Sequence, residues 1–386
     1  MRTLRDIQNV AGVSVLVRTA CNVPVENGRV VNDYRLRKAL PTIEFLAARG
    51  AKVILISHIG EAGTETLLPV YEALRTFIPR ISFCPHTVGE DVRVAVRALP
   101  PGGVLLLENL RRDKREVAND PGYARELAAL ADVFVQDSFD TCHRLHASIV
   151  GIPALLPSYA GFLLEEEVAA LSAALHPRHP ALAIVGGAKF TTKARVLDTL
   201  LAAYDHVFIG GALADDFLAG QGYEIGKSLA SGAEPDTIRA LLSKKKLVLP
   251  MDVRVVPAHA MGSIDMYKQL RTAGVRDVKP DEVILDVGPA SSALLADLAR
   301  DSKTILWNGP LGNYENGFTD ATDALARAIA ATGAQSVVGG GDTVASIERL
   351  GLIPRFSFVS TGGGAMLEFL AKGTLPGIAV LESSES

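Results

Sequence analysis

Ten short runs of β-branched and aliphatic residues punctuate the chain: VSVLV from Val13, KVILIS from Lys52, GVLLLE from Gly103, DVFVQD from Asp132, LAIVGG from Leu182, HVFIGG from His206, KLVLPMD from Lys246, EVILDVG from Glu282, KTILWNG from Lys303 and SVVGGG from Ser336. A strand with one face in water alternates apolar and polar residues. These runs are mostly continuous, so they read as strands covered on both faces inside parallel sheets. Intervening segments such as RLRKALPTIEFLAARG and PGYARELAALA space their apolar residues three and four apart, as crossover helices do. Repeated βα units in both halves predict an α/β protein with two doubly wound, Rossmann-like parallel-sheet domains joined by a hinge helix.

Length supports the division, since 386 residues exceed what one core usually serves. The boundary is expected where PALLPSYAGF gives way to the helical EEEVAALSAAL and then to HPRHPA. This predicts an N-terminal domain over 1–155, a hinge and connecting helix over 156–180, and a C-terminal domain over 181–370. Composition excludes several classes. A net charge of −4 offers no global field for nucleic acid or an anionic membrane. No apolar run reaches the roughly 18 residues of a membrane span, and MRTLRDIQNV lacks the apolar core of a signal peptide. Cys21, Cys84 and Cys142 show no metal or redox spacing and read as reduced thiols. A cytoplasmic monomer binding small molecules is expected, with neither nucleic acid nor membrane as partner.

Glycines cluster where strands end: Gly186-Gly187, Gly210-Gly211, Gly288, Gly309 with Gly312, Gly339-Gly340-Gly341 and Gly362-Gly363-Gly364. Ligands of open α/β sheets bind at the carboxyl ends of strands, and glycine there lets backbone N–H groups approach phosphate or a flat base. Five of these six turns fall in the second half, which is therefore expected to hold a nucleotide. Two common phosphate motifs do not apply. Gly222 to Ser228 has three residues where a Walker A loop has four, and no GxGxxG opens a first βα turn.

The residues that break the tie are motifs in a fixed order: RTACNVPV, DYRLRKALPTI, SHIG, LLENLR and DSFDTCHRLHAS in the first half, then GGAKFTTK, GQGYEIGKSL, ILDVGP, ILWNGPLGNYE, SVVGGGDTVA and STGGGAMLEFL. In that order the sequence resembles the phosphoglycerate kinase family from end to end. The resemblance implies an N-terminal domain for an acidic acceptor, a C-terminal domain for ATP or ADP with Mg2+, and hinge closure between them. It also implies that residues after about 370 return to the N-terminal domain. On the nucleotide side, Lys189 and Lys193 resemble the lysines that meet the phosphates, with Asn308, Gly340, Gly341 and Thr343 near them. Asp342 resembles the metal-anchoring aspartate, Glu315 the ribose-binding carboxylate, and Gly210, Gly211 and Gly288 the walls of an adenine slot. On the acceptor side, Asn22, Arg35, His58, Arg111 and Arg144 resemble the groups that grip the acid. The catalytic set implied is Arg35, Lys193, Gly341 and Gly364. Because the acceptor carboxylate is itself the nucleophile, no general base is needed, and His143 and His146 beside Arg144 are expected to orient rather than react.

Two acceptor positions depart from the family. Its Arg-Val-Asp-Phe-Asn is Arg18-Thr19-Ala20-Cys21-Asn22 here, which removes an acceptor for a substrate hydroxyl. Its Ser-His-Leu-Gly-Arg-Pro is Ser57-His58-Ile59-Gly60-Glu61-Ala62, which reverses a charge in the anion site. Losing one charge-assisted hydrogen bond costs about 1.5–3 kcal/mol. Arg112, Lys114 and Arg115 are the nearby cations expected to neutralise Glu61 or replace the lost arginine. Three readings stand at this point: a phosphoglycerate kinase with a repaired anion site, a relative acting on another carboxylic acid, or a nucleotide-binding protein without catalysis.

Overall fold

Eight of the ten apolar runs become strands paired on both edges inside the two parallel sheets. The computed structural model describes residues 1–188, 190 and 193–383. Its first part carries β1 (Ser14–Thr19), the short pair β2 (Val25–Glu26) and β3 (Arg29–Val30), then β4 (Lys52–Ile56), β5 (Ile81–Cys84), β6 (Val104–Leu107), β7 (Val133–Asp137) and β8 (Ser158–Ala160). The main sheet has the order β5-β6-β4-β1-β7-β8 and is parallel throughout. Along β1, Val15 and Val17 point to one core with Leu36, Ile43 and Leu46 of the helix Tyr34–Ala48. Leu16 points to the other, with Val92, Tyr123 and Leu127. Both phases of the strand are buried, hence the absence of alternation. Each such side chain withdrawn from water contributes about 1.5–3 kcal/mol.

The second part carries β9 (Ala181–Val185), β10 (His206–Ile209), β11 (Leu247–Val248), β12 (Asp252–Pro257), β13 (Arg271–Gly274), β14 (Glu282–Val287), β15 (Thr304–Asn308), β16 (Gln335–Gly339) and β17 (Phe358–Val359). Its main sheet, β11-β10-β9-β15-β16-β17, is again parallel. The fold class read from the sequence, α/β with two largely parallel doubly wound sheets, is the one observed.

One run was misplaced. EVILDVG from Glu282 is β14 of a separate antiparallel sheet, β13-β12-β14, and not a member of the parallel one. Val283 and Ile284 are only half-buried there, so a continuous apolar run did not mean two covered faces. The strands of the two parallel sheets that the runs missed have an equally plain cause. β5 exposes Ser82, while β8 and β17 are edge strands of three and two residues, too short to show a pattern.

The chain divides into two compact units, Met1–Ala169 with Thr374–Ser386, and Ala170–Gly373. The helix Phe162–Ala174 spans that division. The helix Pro376–Ser383 packs in the first unit through Gly377, whose N–H donates to Cys142 O at 2.8 Å. A Cβ on Gly377 would lie 3.0 Å from Cys142 Cα, so the approach requires glycine. Among the described residues no single helix is long and apolar enough to cross a membrane.

Candidate functional site

In the second unit the chain runs from β9 outward to β10 and β11 and returns on the other side at β15, so the turns after β9 and β15 meet at a topological switch point. Gly186 N donates to Asn308 O at 2.9 Å and Gly187 N to Pro310 O at 3.0 Å. A Cβ on Gly186 would strike Pro310 O, which explains the glycine. A cavity of about 420 Å³ opens there, lined by Gly187, Gly211, Leu311, Glu315 and Asp342 among others. That volume suits a nucleotide-sized ligand.

Several helices begin around this edge. Gly341–Arg349 starts after Gly340, which holds φ +98°, and Gly363–Lys372 starts after Gly362. A Cβ on Gly363 would lie 3.2 Å from Gly340 Cα, so the two helix starts are neighbours. The helix Ala194–Ala203 is preceded by Lys193 and packs on Gly363–Lys372. Convergent N-termini present partial positive charge and free N–H groups to an anion. Gly364 lies in the first turn of its helix, as Gly341, Asp342 and Thr343 do in theirs.

Lys193 adds a full charge. Its ammonium is buried, donates to Gly186 O, and is pulled by burial down to about 8. Asn308 is buried at the end of β15, with its amide 3.4 Å from Gly363 O. Asp342 is half-buried, and its carboxyl is pushed up by burial first and by Glu315 second. Thr343 is buried, and among the described residues its Oγ1 has no hydrogen-bond partner. Among the slot glycines, Gly211 lines the cavity, Gly210 packs against Leu311, and Gly288 caps the helix Pro289–Asp301 close to the Asp252 carboxylate. Lys189 lies outside the described residues.

In the first unit the corresponding edge is built around a residue that sequence reading passed over. Arg18 ends the apolar run of β1, is 1% exposed, and donates to Ser57 Oγ at 3.2 Å, Thr19 O at 2.9 Å and Ser148 Oγ at 3.1 Å. Ser148 Oγ in turn donates to Glu116 Oε1 at 2.5 Å. Burial lowers the Arg18 pKa, yet a guanidinium stays charged at any neutral pH. An arginine inside a run of buried aliphatics was the available signal.

Arg18 Nη2 lies 3.0 Å from His58 Nδ1. Guanidinium only donates, so Nδ1 must accept and the proton of His58 sits on Nε2. Burial and then Arg18 and Arg111 hold His58 well below its ordinary value. His146 is lowered to about 4 by burial first and Arg111 second. Two imidazoles kept neutral, by burial first and by arginines second, thus lie beside the Arg18 and Arg111 guanidiniums.

Arg35 donates to Asn22 O at 2.5 Å and sits 3.9 Å from Asp140, while Asn22 Oδ1 accepts from Gly60 N at 3.1 Å. Arg111 is buried and donates to Gly60 O at 2.7 Å and to Glu61 Oε2 at 2.9 Å. Among the described residues its Nε has no hydrogen-bond partner. Arg144 is exposed, and Ala20 is buried. The cations expected to neutralise Glu61 are otherwise disposed. Arg112 pairs with Glu108 and Arg115 with Asp113 and Glu126, while Lys114 is exposed. Glu61 instead takes Arg111, because a carboxylate on the adjoining turn reaches that guanidinium directly.

The family description for phosphoglycerate kinase matches residues 4–373. The phosphoglycerate kinase of Thermus thermophilus is 45% identical over 99% of this chain and 100% of that protein. The one from Zymomonas mobilis is 43% identical over 99% of each. Among solved structures, phosphoglycerate kinase from Coxiella burnetii superposes with a TM-score of 0.82 at 38% identity, covering 99% of this chain and 98% of that one. The enzyme from Pyrococcus horikoshii gives 0.88 at 28% identity over 100% and 99%. Relatives this similar from one end to the other leave a single family for the chain, and it belongs to the phosphoglycerate kinases, phosphotransferases whose acceptor is a carboxyl group.

Proposed function

We propose that this chain catalyses reversible, Mg2+-dependent phosphoryl transfer between ATP and the carboxylate of 3-phosphoglycerate, giving an acyl phosphate. Residues 181–370 serve as the nucleotide domain, and residues 1–155 with the segment after about 370 as the acceptor domain. A hinge over 156–180 lets them close during transfer and shed water. The observation that carries this reading is Lys193, an ammonium buried beside convergent helix N-termini. A buried charge without an anionic partner is costly, and its natural counterion is the phosphate chain.

Phosphoryl transfer leaves little covalent chemistry to the protein, so its task is alignment and charge neutralisation. Lys193, with Lys189 beside it in sequence, faces the transferring oxygens. The N–H groups after Gly340 and in the turn at Gly364 meet the nucleotide phosphates. Glu315 accepts from the ribose hydroxyls, and Gly210, Gly211 and Gly288 flank the base. Asp342 suits the metal. Among the described residues no cluster of three metal-binding side chains exists, so Asp342 would hold the ion as a single carboxylate, in keeping with the preference of Mg2+ for retaining waters and substrate phosphates. When bound, Mg2+ neutralises charge on the phosphates. Arg35 neutralises the acceptor carboxylate, while Asn22, His58, Arg111 and Arg144 hold the remainder of the acid. The protein works as a cytoplasmic monomer.

The Glu61–Arg111 ion pair favours a second reading, in which the acceptor is a different carboxylic acid. A distal phosphate has to displace Glu61, which is 82% exposed and free to swing away. A cationic group in its place does not. Steady-state turnover on a panel of small acids, with 3-phosphoglycerate as reference, decides between them. Turnover of 3-phosphoglycerate above all others supports the first reading, and preference for another acid supports the second.

A further inference from the structure

The cavity of the second unit contains a polar group that phosphate recognition leaves unused. Asp215 sits in the first turn of the helix Ala212–Gly220, is 2% exposed and lines the cavity. Among the described residues nothing donates a hydrogen bond to its Oδ1. The neighbouring Asp216 has what Asp215 lacks, accepting from Ser231 N at 2.9 Å and Ser231 Oγ at 2.6 Å. The helix packs on β14, whose Val283, Leu285 and Val287 line the same space with Leu229 and Val253. This is the apolar wall of the cavity, the side that suits a flat ring and not a phosphate.

An unpaired buried carboxyl is a standing penalty unless a ligand completes it. Resting on the nucleotide-site reading above, we infer that Asp215 anchors the nucleobase by pairing with the 6-position edge of a purine through two hydrogen bonds. Burial and the adjacent Asp216 push the Asp215 carboxyl well above the usual range, which favours the neutral acid. A neutral carboxyl presents one donor and one acceptor side by side. Adenine offers the matching pair, its 6-amino N–H and its N1 lone pair. The acid can carry its proton on either oxygen, so it equally meets the N1–H and O6 of guanine or hypoxanthine. An ionised carboxylate would instead fit only guanine, whose N1–H and 2-amino group are two adjacent donors. Asp215 therefore demands a paired edge without choosing among the common purines.

Calorimetry on the whole chain with ADP, GDP, IDP and purine riboside 5′-diphosphate, which is adenine without its amino group, tests this. Wild type should bind the first three within a few-fold and the last about tenfold or more weakly, the effect of one unmade hydrogen bond. Asp215→Asn keeps a neutral donor–acceptor pair and should keep that ratio. Asp215→Leu should collapse it, by weakening ADP, which loses two hydrogen bonds, more than purine riboside diphosphate, which loses only the one to N1. If Asp215→Leu fails to fold, the wild-type ratio and Asp215→Asn still decide. Equal binding of ADP and purine riboside diphosphate by wild type, or an unchanged ratio in Asp215→Leu, overturns the inference and leaves the nucleotide site standing. GDP binding more than about tenfold tighter than ADP also overturns it, since that is the signature of the carboxylate. Failure of all four to bind overturns the nucleotide-site reading and this inference with it.

Discussion

Lys193 is held where a lysine is least comfortable, and its titration makes the discomfort measurable. The unfolded side chain loses its proton near 10.5 and the folded one at about 8. Between those values the unfolded chain holds the extra proton, so stability rises with pH; below about 8 the folded protein carries the buried charge in full. The difference corresponds to about 3 kcal/mol. Lys193→Met should therefore stabilise the ligand-free protein by about 1–3 kcal/mol in denaturant titrations while lowering kcat at least about a hundredfold, a trade common at active sites. A variant that keeps kcat and changes only KM would remove Lys193 from the transferring group. Bound phosphates restore the charge, so kcat/KM for nucleotide should decline as pH rises through about 8.

Glu61 and Ala20 belong to the same scale. Glu61 occupies one arm of Arg111, so Glu61→Gln should lower KM for 3-phosphoglycerate, by about three- to tenfold for an exposed competitor. Ala20→Asp with Glu61→Arg should improve it by more than the two single changes combined, because both groups would grip one small ligand. Steady-state kinetics on the variants checks this. Unchanged KM in Glu61→Gln would mean that Arg111 never meets the substrate.

At the scale of elements, the starts of two helices matter more than their lengths. Gly340 holds φ +98°, and a Cβ there would lie 3.1 Å from Gly309 N. Gly340→Ala should weaken nucleotide binding about tenfold or more, measured by calorimetry, since it moves the N–H groups offered to phosphate. Gly373 ends the helix Gly363–Lys372 with φ +76° and open space around it. Gly373→Ala should cost only about 1 kcal/mol of stability and leave the kinetics alone. Equal nucleotide affinity in the two variants would show that these N-termini do not meet the ligand.

At the scale of the whole molecule, two units with separate cores should respond to separate ligands. A ligand at a hundred times its Kd stabilises its own unit by about 2.7 kcal/mol. In hydrogen exchange, ADP should raise protection within Ala170–Gly373, and 3-phosphoglycerate within Met1–Ala169. ADP protecting the first unit alone would reverse the assignment of the two domains.

The sequence by itself determined the α/β class and most strands, because burial on both faces leaves a mark on every residue of a strand such as VLVRT or VILI. It also marked where backbones meet at strand ends, since glycine after a strand, as at Gly186 against Pro310, records how closely they approach. It did not show that EVILDVG pairs antiparallel, because hydrogen-bond direction leaves no trace in side-chain identity. Nor did it show who neutralises Glu61. Arg112 and Arg115 stand near it in motif order, yet the turn after β4 delivers Glu61 to Arg111. Arg18 and Asp215 were equally hidden, the one in an apolar run and the other in ALADDFL. What a buried charge means depends on whether anything donates to it. Partners 32, 39 or 130 residues away in the chain, as for Glu116 and Arg18, are chosen by the fold alone.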